Sequence, residues 1–161
     1  MTDSGPSTSQ ERVIWEALAR ERVLKEAQTW IGTPYHHAAS VKGAGVDCGT
    51  LLIEVYSNAG VIEKFSPRKY SRQFHLHRDE EWYKGYVETW ASPVEDPKPG
   101  DLVLFKVGRL FAHGAIIIEP GWPYVIHAMA REEFVIPDDI SRTALKNAEW
   151  IFYNPWKGPV T

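Results

Sequence analysis

The sequence predicts an α+β domain in which helices come first and an antiparallel sheet follows. Apolar residues recur at helical spacing up to about residue 60. From residue 102 onward, short β-rich segments alternate with Gly, Pro and charged residues. The only cysteine, Cys48, stands where the Gly-rich loop Gly45-Val46-Asp47 gives way to a helical pattern. No repeat or low-complexity tract interrupts the chain, so helix and sheet belong to one unit.

Residues 1–8 read as a flexible lead-in, and residues 9–161 as a single domain, a length that buries a real core. Thr8 and Glu11 have capping-box spacing and start a helix at about Ser9. Ile14, Ala17, Leu18, Leu24, Ala27 and Ile31 mark its expected apolar stripe, and Gly32-Thr33-Pro34 ends it. Residues 33–47 form a loop of small residues with Tyr35, His36 and His37 near its start. Leu51, Leu52, Val55 and Ala59 then define a second helix, stopped by Asn58 and Gly60. Residues 61–99 mix Pro67, the segment Phe74-His75-Leu76-His77 and an aromatic-charged stretch, 80–90, that reads as helical. Pro97-Lys98-Pro99-Gly100-Asp101 is a turn, and it launches strands expected at 102–106, 112–119, 125–129 and 150–153.

Composition narrows the function. A net charge of −3 gives no basic face for nucleic acid. One cysteine excludes an internal disulfide and a Cys-based zinc site. Residues 1–10 are polar and no apolar run spans a bilayer, so the expectation is a protein made in the cytoplasm without a signal peptide or membrane span. No cofactor is expected. Most of the seven tryptophans are expected in the core.

A thiol at a helix N-terminus meets the positive end of the macrodipole and unpaired N–H groups, both of which favour the thiolate nucleophile. The bland alternative is a buried, inert cysteine. Two histidines weigh against it. His113 opens one expected strand and His127 lies in the next. Opposed residues of an antiparallel pair share a face. A three-residue connection at 120–122 pairs 119 with 123, sets 115 opposite 127 and leaves His113 diagonal to His127 on that face. A five-residue connection sets the two directly opposite, and an even-length one separates them. Both odd-length registers bring two imidazoles to a face that can receive the Cys48 helix end. His113 then takes the thiol proton, and His127 accepts the Nδ1–H of His113. His75 and His77 alternate as strand ligands do, and His36 and His37 are adjacent, but without a third ligand nearby no metal is expected.

Gly32-Thr33-Pro34-Tyr35, Val46-Asp47-Cys48, Pro99-Gly100-Asp101-Leu102-Val103-Leu104-Phe105, Ala112-His113-Gly114-Ala115-Ile116 and Val125-Ile126-His127-Ala128 together resemble the NlpC family of papain-like cell-wall peptidases. Order and spacing match from about residue 20 to residue 153. Residues 70–78 and His36-His37-Ala38-Ala39 look more narrowly like the subfamily of phage and prophage tail modules. The resemblance implies a circularly rearranged papain-like fold, with a nucleophile helix on a central antiparallel sheet. It implies Cys48 as nucleophile, His113 as base, His127 as orienting member and Tyr35 as an oxyanion contact beside the Cys48 N–H. Asp47 matches the acidic residue that holds the free amine of a stem peptide; read from the residues alone it is a helix N-cap, and the roles are compatible. The implied substrate is the peptidoglycan stem peptide, cut between D-glutamate and meso-diaminopimelate, and the implied partners are tail-tip proteins of a phage-like particle. Where the family usually has Ser-Gly after the cysteine, this chain has Gly49-Thr50. A structural tail-tip subunit of weak or lost activity and a thiol amidase or acyltransferase are the alternatives.

Overall fold

The computed structural model describes residues 7–65 and 82–157. Helix α1 (Ser9–Trp30) leads to a short hairpin of β1 (Ser40–Val41) and β2 (Gly45–Val46), then to α2 (Cys48–Asn58) and α3 (Trp82–Glu88). The sheet follows: β3 (Ser92–Val94), β4 (Leu102–Val107), β5 (Leu110–Ile117), β6 (Tyr124–Met129), β7 (Phe134–Asp139) and β8 (Trp150–Asn154). All six strands pair antiparallel in the order β3-β8-β4-β5-β6-β7. The α+β expectation therefore holds. The motif at His75 and His77 lies outside the described residues.

Sheet parity separates two cores. Leu102, Leu104, Ile116, Ile126 and Ala128 face α1 and α2, where Leu51, Leu52, Val55 and Tyr56 pack on them. Val103, Phe105, Ala115, Ile117 and Val125 face the other way, toward Ile140, Trp122, Trp150 and Phe152. Tyr56 locks α2 to the turn before β4 by donating to the Gly100 carbonyl at 2.8 Å. That turn needs glycine at 100, where φ is +97°.

The apolar stripe expected of α1 is corrected. Ile14 and Leu18 are more than half exposed, Ile31 is exposed, and the buried line is Ala19, Val23, Ala27 and Trp30. Rotation is set by close approach and by an ion pair. Small residues let α1 lie near α2, and Arg20 donates to Asp101 Oδ1 at 2.8 Å and to the Pro99 carbonyl at 3.0 Å. Asp101, 1% exposed, also receives Trp156 Nε1 and the Lys98 N–H. The expected cap at Thr8 is half present: Thr8 Oγ1 accepts the Glu11 N–H, while the Glu11 carboxylate turns to Ser7.

Strands β3 and β7 were not expected from the pattern. Each contains a proline, Pro93 or Pro137, and each is a sheet edge, where a missing N–H costs no ladder bond. The outer side of β7 is not bare: residues 32–35 cover it, with Gly32 N–H on the Val135 carbonyl, Val135 N–H on the Thr33 carbonyl and Tyr35 N–H on the Glu133 carbonyl. Among the described residues no helix is long and apolar enough to cross a membrane.

Removing Arg20 leaves a buried carboxylate without its countercharge. Arg20→Ala is expected to destabilise the fold by roughly 3 kcal/mol, read as a lower urea midpoint at unchanged slope.

Candidate active site

The site is built where α2 starts. Asp47 is the N-cap: its Oδ1 accepts the Gly49 N–H at 3.0 Å and the Thr50 N–H at 2.9 Å. Thr50 closes a capping box by accepting the Asp47 N–H at 3.0 Å, and its hydroxyl reaches the Ala39 carbonyl at 2.6 Å. Asp47 Oδ2 accepts the Ala38 N–H at 2.7 Å and lies 4.0 Å from His37 Nδ1. Ala38 holds a left-handed φ of 61°, a strain that the charge-assisted bond to Asp47 offsets. The loop and the helix end thus share one carboxylate.

Cys48, half-buried, is the first residue of α2. Strands β5 and β6 pair only at Ile116↔Ile126 and Ile117↔Val125, and the helix end lies against the stretch of β5 beyond them. There Sγ is 3.6 Å from the Ala112 carbonyl. The N–H groups of Gly114 and of Cys48 itself and the Tyr83 hydroxyl favour the thiolate, yet burial and the Asp47 charge outweigh them and push the thiol up to about 12. This corrects the expectation from the helix terminus alone. The resting sulfur is a neutral thiol.

The histidines share a face. The β5–β6 pairs lie in the same register as a 119–123 pairing, so His113 is diagonal to His127. Their rings meet through His113 Nε2 and His127 Nδ1 at 3.0 Å. Two details differ from expectation. The contact uses Nε2 of His113, where Nδ1 was expected. In addition, the rings share parity with Phe105 and Ala115, opposite the face on which α2 packs; the helix end meets β5 at Ala112 and Gly114, the two neighbours of His113.

Asp138 was missed. Its Oδ2 lies 2.9 Å from His127 Nε2. It is placed by the same parity rule: Val125 opposes Asp138 in the β6–β7 pair, so Asp138 is diagonal to His127 on the ring face. The signal was available once 134–139 was read as a strand, but Pro137 hid that strand. Hydrogen-bond direction then runs one way. A carboxylate only accepts, so His127 Nε2 carries its proton and His127 Nδ1 is a lone pair. That lone pair accepts the Nε2–H of His113, and Nδ1 of His113 is left as a base. Burial, and for His113 also the neighbouring His127, hold both imidazoles below the usual histidine range, so both are neutral.

Tyr35 lines a groove of about 510 Å³ with Pro34, His36, Ala130, Glu133 and Phe134. It is half-buried against the core that also takes Cys48. His36 and His37 stay on the loop, and among the described residues no three His, Cys, Asp or Glu converge as metal ligands.

The model of the NlpC/P60 family matches residues 32–152. No curated protein sequence matches the chain. Among solved structures, NlpC1 from Trichomonas vaginalis is similar at a TM-score of 0.60 and 18% identity, over 85% of this chain and 44% of that one. The chain thus spans less than half of that relative's length. The NlpC/p60 domain of the peptidoglycan hydrolase SagA is similar at 0.56 and 20% identity, over 82% and 96%. An N-acetylmuramoyl-L-alanine amidase from Bacteroides uniformis gives 0.56 and 12% identity, over 84% and 98%.

Burial of neutral histidines links stability to pH. Unfolded, each histidine takes up a proton near 6.5, whereas the folded chain resists it. Stability is therefore whole above that pH and falls as pH drops below it, by at most about 1.4 kcal/mol per pH unit for each proton. Melting temperatures between pH 7.5 and 5 should decline, and His127→Gln should flatten the decline.

Proposed function

Because the chain belongs to the NlpC/P60 family, we propose that it is a cysteine peptidase of bacterial cell-wall stem peptides, cutting between D-glutamate and meso-diaminopimelate. The observation that supports this best is the one-way hydrogen-bond chain from Asp138 through His127 to His113, whose strand neighbour Ala112 meets the Cys48 sulfur.

With a neutral thiol, attack and proton transfer go together. Sγ adds to the scissile carbonyl as its proton passes to His113 Nδ1. The imidazolium that forms is stabilised by His127, whose own Nε2–H rests on Asp138. Charge on the carbonyl oxygen falls near the Cys48 N–H at the start of α2, and we assign Tyr35 as the second donor there. His113 returns the proton to the leaving amine, and water hydrolyses the thioester with His113 again as base. We assign the substrate amine to Asp47 Oδ2, which also accepts the Ala38 N–H.

We place the protein in a phage-like tail tip, assembled in the cytoplasm, on the resemblance of residues 36–39 and 70–78 to tail-module peptidases. Its detection in purified particles supports that placement, and its absence from them removes it. A second reading, a thiol amidase that releases the stem from the sugar, is favoured by the fold shared with the Bacteroides amidase.

Incubation with purified cell-wall fragments followed by mass analysis separates the readings. Products cut inside the stem mean peptidase, free glycan with intact stems means amidase, and unchanged fragments mean a structural subunit. Cys48→Ala is expected to abolish turnover in a folded protein. Asp138→Ala should lower kcat by on the order of 10- to 1000-fold with KM little changed, because it removes only the group that fixes the tautomer. Equal kcat in the variant removes Asp138 from the relay.

A further inference from the structure

Tyr83, on α3, reaches the nucleophile from a segment that the motifs above do not include. Its side chain is buried, 6% exposed, and its hydroxyl donates to the Cys48 carbonyl at 3.3 Å. The ring occupies a slot that exists because two neighbours have no side chain. A Cβ on Gly49 would lie 2.9 Å from Tyr83 Cε2. A Cβ on Gly114 would lie 2.5 Å from the Tyr83 hydroxyl oxygen and 2.8 Å from Leu52 Cδ1. Neither glycine is demanded by backbone angle, since neither has positive φ. Both are demanded by the phenol. Gly49 follows the cysteine on α2, and Gly114 follows the base on β5, so the ring is wedged between the two elements that must meet.

We propose that Tyr83 is a positioning residue for the Cys48 nucleophile: its ring, in the slot left by Gly49 and Gly114, holds the helix end against β5, and its hydroxyl holds the first turn beside the sulfur. The same hydroxyl favours the thiolate against the burial that opposes it. A hydrogen bond of this kind contributes roughly 0.5–1.5 kcal/mol, equivalent to about a 2- to 10-fold change in the thiolate fraction. The proposal deepens the reading of Cys48 as nucleophile, and its test does not need a cell-wall substrate.

Cys48 is the only cysteine in the chain, so alkylation by iodoacetamide reads that sulfur alone. Rates are measured against pH for the native protein, Tyr83→Phe, Gly49→Ala and the double variant, with melting curves for each. Tyr83→Phe is expected to slow alkylation about 2- to 10-fold and move the pH profile upward, with the fold retained. Gly49→Ala, which crowds the ring but leaves the hydroxyl in the chain, is expected to slow it similarly, and serves where the Phe variant does not fold. The double variant should lose no more than the larger single loss, because both act through one hydroxyl. Native or faster alkylation in either folded single variant, or losses that add, overturns the proposal. Turnover of cell-wall fragments, recorded in parallel, separates the two ideas: inert fragments with a shifted alkylation profile reject the peptidase and keep the role of Tyr83.

Discussion

A helix that begins inside a protein brings unpaired N–H groups with it, and α2 begins inside this one. Asp47 takes two of them on a single oxygen, and Thr50 returns the favour to the Asp47 N–H. The second oxygen draws in Ala38, which accepts a left-handed backbone to reach it. The loop from Thr33 to Val46 is folded around that carboxylate, and the cysteine follows it directly in the chain. The placement of the sulfur is thus a by-product of satisfying a buried helix terminus.

The same arrangement works against the sulfur's acidity. A helix N-terminus ordinarily favours an anion, but here the anion that benefits is Asp47, and its charge opposes a second one on Cys48. Three strands supply neutral imidazoles with a set proton position. Asp138 on β7, His127 on β6 and His113 on β5 step diagonally across one face, each fixing the proton position of the next. The relay bridges β5 and β6 beyond the end of their short ladder, so side chains hold together strands that the backbone has let part.

Legibility in the sequence followed burial. Strands β4, β5, β6 and β8 lie in the sheet interior, and their apolar runs between turn signals gave them away. The edges did not, because an edge tolerates Pro93 and Pro137 and so loses the pattern by which strands are recognised. Parity placed His113 and His127 on one face, since it needs only a register; it missed Asp138 because its strand was missed. The rotation of α1 was misread for a different reason: Ala19, Val23 and Ala27 are too small to stand out beside Ile14 and Leu18, and the ion pair that fixes the rotation joins residues 81 apart. Tyr83 carried no signal, because its slot is made by the absence of two side chains and its hydroxyl bonds a backbone carbonyl.

The seam between residues 32–35 and β7 has an evolutionary consequence. One wall of the groove, Pro34-Tyr35-His36, is held to the other, the turn at Ala130–Glu133 that joins β6 and β7, by the Tyr35 N–H on the Glu133 carbonyl, and the seam continues along β7 through Gly32 and Thr33. Main-chain bonds are indifferent to side-chain identity, so His36, Ala130 and Phe134 can change their chemistry while the seam keeps its spacing. Cys48 is anchored elsewhere, behind Asp47 and against β5. Variation in the lining of the groove is therefore uncoupled from the placement of Cys48, and a lineage of such proteins can drift at these surface positions without disturbing it.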